Sequence, residues 1–318
     1  MYLRSLLSTA QALPRDCGSG IARGVVCAIV VLFAVTQSVS AQGLAPLKVP
    51  AAVYEMNEDG TGWKKVISPG DYTRIGSLRL SPDGSRLCFD GIKAGQPWSA
   101  AVLLSCRLDG SDLKVHGTGA MPNFSPDLKK ISYCSYGEYA VRVRNLEDGM
   151  DSAVEEGWGV QWSPVSSEIA YVINGGTVVI RNMETGERRP LFPAEGSPYQ
   201  SVSYNMAWSH DGKQLAIQGQ RPGGAKEIAV VDAHGAELGF TVICPMQTIS
   251  NCLAFHPNGR SLAFQSYLTG NKCSQLFTVD VKAGSEPQRM PGQPEDFDNV
   301  SLAWIEGGRK VRVVSWQR

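Results

Sequence analysis

The chain carries no net charge: 30 lysines and arginines balance 30 aspartates and glutamates across 318 residues. There is therefore no basic field to hold a nucleic-acid backbone, and nucleic acid is not an expected partner. Histidine is scarce, with only His116, His210, His234 and His256. No HExxH, paired CxxC or GxSxG pattern is present, so the usual sequence signatures of a metal centre or an activated nucleophile are missing. No cofactor and no metal are implied. Long apolar runs are absent as well. The run "GVVCAIVVLFAV", Gly24 to Val35, is well short of the roughly 20 residues that span a bilayer as a helix.

That run does suit export. Arg4, Arg15 and Arg23 precede it, and Val39 and Ala41 occupy the two small-residue positions of a signal-peptidase site. Residues 1–41 are read as a signal peptide cleaved after Ala41, with an uncleaved anchor as the alternative. Residues 42–52 form a short linker, and the mature chain is expected in the periplasm or secreted. Cleavage leaves Cys88, Cys106, Cys134, Cys244, Cys252 and Cys273, an even number in a compartment that permits disulfides. Cys244 and Cys252 bracket one short loop and are the candidate pair. Cys88 and Cys134 lie within apolar strands and read equally well as buried small residues.

What the sequence has in quantity is repetition. "LRLSPDGSRLCFDG", "AWSHDGKQLAIQG" and "LAFHPNGRSLAFQS" are versions of one pattern. Its anchors are Leu80, Phe124, Trp162, Trp208, Phe255 and Trp304, recurring every 38–49 residues. Seven positions after each anchor stands another apolar residue, and two further on a third, without exception. The alternation marks two strands, and "SPDG" between them is a turn in which each residue type has a function. A second hairpin follows each first one, with turns ending at Gly60, Gly110, Gly149, Gly186, Gly235 and Gly284. Two hairpins make a four-stranded blade, and this period is that of a propeller.

The mature chain begins with a second-type hairpin, residues 53–67, and ends with a first-type hairpin, residues 302–315. Each alone is half a blade with bare edges; together they complete a sixth. The expected fold is all-β, a six-bladed propeller over residues 53–318 whose last blade unites the two ends.

These repeats resemble the TolB-type six-bladed β-propeller, of the WD40-like or PD40 repeat family, over nearly all of the mature chain. Three turns depart from the pattern: "SPDL" at 125–128, "SPVS" at 163–166 and "IEGG" at 305–308. The α/β domain that precedes the propeller in full TolB proteins is not expected, with about ten residues between Ala41 and Val53. The resemblance implies architecture and leaves function open.

In this topology the hairpin turns share one face and the longer connections share the other. Long loops on a rigid scaffold are where binding residues concentrate. That face is expected to carry Tyr72, Arg74, Trp98, Trp158, Tyr199, Tyr204, Arg221, Tyr267 and Phe297, residue types that anchor interfaces. The anchor tryptophans are assigned to the core, and Asp83, Asp127 and Asp211 to the turns. The expected function is an exported, non-catalytic propeller, monomeric, that binds a protein or envelope component and meets a membrane only through an uncleaved N-terminal segment. The alternative is a lyase or hydrolase acting on extracellular polysaccharide at the channel mouth. For that role the loops offer Asp71, Glu195, Glu295, Asp296 and Asp298 but no histidine.

Overall fold

The computed structural model describes residues 47–174, 176–193, 196–234, 239–246, 250, 252–267 and 272–318. Blade 1 comprises β3 (Tyr72–Leu80), β4 (Arg86–Lys93), β5 (Val102–Arg107) and β6 (Lys114–Thr118). Blade 2 comprises β7 (Ala120–Phe124), β8 (Lys130–Ser135), β9 (Ala140–Asn145) and β10 (Asp151–Glu156). Blade 3 comprises β11 (Trp158–Trp162), β12 (Glu168–Ile173), β13 (Thr177–Asn182) and β14 (Arg188–Pro190). In blade 4 the inner strand is broken into β15 (Ser201–Val202) and β16 (Ala207–Trp208), both paired with β17 (Gln214–Gln220), followed by β18 (Lys226–Asp232) and β19 (Phe240–Met246). Blade 5 comprises β20 (Leu253–Phe255), β21 (Ser261–Tyr267), β22 (Ser274–Asp280) and β23 (Gln288–Arg289). Blade 6 joins β24 (Phe297–Ile305) and β25 (Lys310–Gln317) to β1 (Ala52–Asn57) and β2 (Lys64–Ile67). The inner strands β3, β7, β11, β16, β20 and β24 neighbour one another around a central channel.

The invariant seven-residue offset has a cause in strand register. Leu80 pairs with Leu87, Phe124 with Ile131, Trp162 with Ile169, Trp208 with Leu215, Phe255 with Leu262 and Trp304 with Val311. Each anchor thus sits directly across the hairpin from its partner, and the residue two further on returns to the same side of the sheet. All twelve residues at those two later positions are at most 3% exposed. In the first turn Ser81 Oγ donates to Asp83 Oδ1 at 2.6 Å, Gly84 N–H donates to the Ser81 carbonyl at 2.8 Å, and Gly84 has φ +74°. In the altered "SPDL" turn Leu128 takes up the left-handed conformation instead, at φ +58°.

The core is divided into six clusters, each between adjacent blades. Trp162 and Val160 of blade 3 pack on Cys134 and Val141 of blade 2, for example. Blade 6 is packed on both sides: Val53 and Val314 meet Leu78 and Phe89 of blade 1, while Met56 and Val313 meet Ala263 and Leu276 of blade 5. Burying each such large side chain contributes about 1.5–3 kcal/mol. Within blade 6, β1 runs antiparallel to β25, from Ala52 opposite Ser315 to Asn57 opposite Lys310. Glu55 stands opposite Arg312, and their side chains, each 8% exposed, form an ion pair at 2.7 Å.

The cysteines correct one expectation. Cys244 and Cys252 are buried and unbridged. Cys244 packs between blades 4 and 5 beside Ile243 and Phe264, whereas Cys252 packs between blades 5 and 6 beside Met56 and Leu302. Flanking one loop did not bring them into one core. Cys88 and Cys134 are fully buried. The expected export segment, with Cys17 and Cys27, lies outside the described residues.

Candidate functional site

Each inner strand ends at a turn of four or five residues, so the first-hairpin and second-hairpin turns lie at one face of the disk. The connections after the second strand of each blade, and those between blades, lie at the other. Among the described residues the exposed aromatic side chains are Trp98, Tyr136, Tyr139, Tyr204 and Tyr267, and every one is at this long-loop face.

Three of these rings form a patch. The blade 2 connection between β8 and β9 reads "YGEY", and Tyr139 holds a left-handed φ of +50°. Gly157 N–H donates to the Tyr139 carbonyl at 3.0 Å, tying this connection to the entry of β11. Tyr139 then stacks on Trp158, with ring centroids 5.5 Å apart and planes at 10°, and Tyr136 leans on the same indole at 4.8 Å. Tyr204 is held alongside by a close backbone approach. Gly159 has φ +73°, and a Cβ there would meet the Tyr204 carbonyl oxygen at 2.3 Å. Trp158 opens β11 and Tyr204 precedes β16, so the patch borders the channel on this face. Burial of one side of Tyr136 and Tyr204 raises both phenol pKa values above the usual 10, keeping the hydroxyls neutral. The patch therefore offers aromatic area and neutral hydroxyls, with Glu138 beside it ion-paired to Arg142.

The nine residues expected on this face divide into three groups. Trp98, Tyr204 and Tyr267 are exposed, at 42%, 44% and 46%. Tyr72, Arg74, Arg221 and Phe297 are partly buried. Lys93 lies over the Tyr72 ring, and Phe297 meets Tyr54 and Trp63 edge to face. Trp158 and Tyr199 are buried rather than presented. Trp158 is the floor under Tyr136 and Tyr139. Tyr199 plugs the core between blades 3 and 4, donating its hydroxyl to Glu227 at 2.7 Å beneath the Arg221 guanidinium. Large rings on connections that cross blade tops complete the core when an apolar recess lies below them. Tyr136 and Tyr139 escape a reading of long loops because their connection is short.

Three acidic residues of this face have local partners. Asp71 pairs with Lys93 at 3.2 Å, Asp296 accepts from Gln317 at 2.7 Å, and Asp298 accepts the Ser274 N–H at 2.8 Å. Glu295 is exposed, and Glu195 lies outside the described residues. His116 contacts Ser105, His210 the Phe255 carbonyl and His234 the Gly212 carbonyl, while His256 Nδ1 accepts from Asn258 N–H. Among the described residues, no three histidine, cysteine or acidic side chains are grouped to hold a metal ion.

No family model matches this sequence. No curated protein matches it. Solved structures do. TolB from Acinetobacter baumannii is similar at a TM-score of 0.59 and 16% identity, over 91% of this chain and 69% of that one. TolB of Agrobacterium tumefaciens is similar at a TM-score of 0.60 and 16% identity, over 86% of this chain and 100% of that one. A chain of the nidogen/laminin complex aligns at a TM-score of 0.52 and 11% identity, over 73% of this chain and 89% of that one. At these identities the likeness is one of fold: this chain folds as a TolB-like six-bladed β-propeller.

Proposed function

We propose that this protein is an exported, non-catalytic propeller that binds another protein or an envelope component through its long-loop face. One observation carries the reading: every exposed aromatic ring among the described residues is on that face, and two of them, Tyr136 and Tyr139, pack on a buried tryptophan beside the channel with Tyr204 alongside. Solvent-facing tyrosine and tryptophan on a rigid support are costly to leave wet and are the residues that dominate interface energy. One fold relative was solved as a protein–protein complex, which fits a propeller in a binding role.

The test is site-specific photocrosslinking in the envelope fraction of cells exporting the full chain. A photoreactive residue at Trp98, Tyr139 or Tyr204 is expected to give a defined adduct, and one at Leu113 or Met150 on the opposite face none. The triple substitution Tyr136→Ala, Tyr139→Ala, Tyr204→Ala is expected to abolish the adduct formed at Trp98. Adducts arising equally from both faces would refute the assignment. Mass spectrometry of the exported protein is expected to find an N-terminus at Gln42.

A further inference from the structure

The opposite mouth of the channel, on the short-turn face, holds a cavity of about 250 Å³. Its rim is the ring of six anchors that also serves the core. Immediately before each anchor stands a residue that lines the same cavity: Arg79, Asn123, Gln161, Ala207, Ala254 and Ala303. This second ring is lopsided. Blades 1 to 3 supply three long polar side chains, and blades 4 to 6 supply three alanines that leave the space empty.

The polar half consists of donors whose acceptors are already engaged. Arg79 donates Nε–H to Gln161 Oε1 at 3.0 Å and Nη1–H to the Leu78 carbonyl at 3.0 Å. Asn123 Oδ1 accepts the Trp162 N–H at 2.7 Å. Both amide orientations are fixed by these bonds, because an N–H requires the oxygen side of its partner. The Gln161 and Asn123 NH₂ groups and the Arg79 Nη2 are thereby left without an acceptor among the described residues. No carboxylate there lies within ion-pair distance of Arg79. Asp90, whose charge acts on it, is buried and already accepts the Met121 N–H at 2.9 Å. A guanidinium and two amides converging behind an apolar collar form a recess suited to an anion that carries a small hydrophobic group.

We propose that this mouth binds a carboxylate attached to a compact apolar group, either the C-terminal residue of a peptide or a free aromatic or aliphatic acid. The site is on the face opposite the aromatic patch and does not depend on it. Since water occupies about 30 Å³ per molecule in the liquid, the cavity of about 250 Å³ has the room of about eight waters, enough for the ring or chain of a small carboxylic acid at an open mouth.

The test uses the full exported chain with four probes: 3-phenylpropionate, its amide, an acetylated tripeptide ending in phenylalanine, and that tripeptide as its C-terminal amide. Trp162, Trp208 and Trp304 at the rim report occupancy by their emission, with calorimetry as a second readout. At least one acid is expected to bind with Kd of about 1 mM or tighter, and its amide roughly tenfold more weakly. Binding by the peptide acid alone or by the free acid alone identifies the source, and either supports the site. Arg79→Gln is expected to erase the preference for acid over amide, and Arg79→Lys to keep part of it. Should Arg79→Gln fail to fold, the acid–amide comparison on the wild type decides. Equal binding of acid and amide, or no response to any probe, would overturn the proposal.

Discussion

The ion pair between Glu55 and Arg312 joins the first strand to the last, so a double-mutant cycle there reads the blade 6 join directly. Both side chains are only 8% exposed, and they are opposite one another in the β1–β25 register. Removing one partner from a buried pair costs about 3–5 kcal/mol, mostly from the charge left behind. The two removals are not equivalent here. Glu55 keeps Lys64 at 3.3 Å and Lys310 at 3.7 Å, so Arg312→Leu is expected to cost about 2 kcal/mol. Arg312 has no such reserve among the described residues, where its Nε and Nη1 are buried and already without acceptors. Glu55→Leu is therefore expected to cost the full amount, about 3–4 kcal/mol, or roughly 6–16 °C in Tm for a large domain. With both replaced by leucine no charge is stranded, and the double variant is expected to lose about 1 kcal/mol or less. Urea unfolding of the four proteins gives a coupling energy of about 4 kcal/mol if this reasoning holds. Strict additivity of the two single losses would refute it.

Two further outcomes follow from titratable groups. Burial depresses the pKa of His116 and of His210 below the ordinary 6.5, so the unfolded chain binds protons at these sites before the folded one does. Stability is expected to be unaffected by them above pH 6.5 and to fall as pH drops below it, levelling once pH passes the folded values; His116→Gln should lessen that fall in urea-midpoint measurements from pH 7 to pH 5. Burial also pushes the thiols of Cys88 and Cys134 up to about 12 and that of Cys252 to about 11, so alkylation at pH 8 followed by peptide mapping should leave all three unmodified until denaturant is added.

The frame of the molecule is written in its spacing. A residue seven places after an anchor must be its cross-strand partner if the turn length never changes, and the sequence never changes it. Leu87, Ile169 and Val311 are buried for the same reason in three different blades. Loop residues obey no such period. Trp158 and Trp98 are alike in sequence as aromatics on connections, yet one fills a recess over blade 2 and the other faces water, because only the packing beneath them differs. Cys244 and Cys252 lie close in sequence but are separated by a change of blade. The lopsided ring at Arg79 leaves a trace in the sequence, since it is the position before each anchor read six times over. It stays invisible until those six positions are known to surround a single axis.

The join in blade 6 also determines when the molecule can be finished. Among the described strands, the hairpin formed by β1 and β2 is made before the other blades, and its partner β25 after them. Until β25 has been made, β1 has a bare edge and five blades can stack without locking, so ring closure is a contact of large sequence separation and a slow step. A nascent chain remains openable along this one seam until β25 is available.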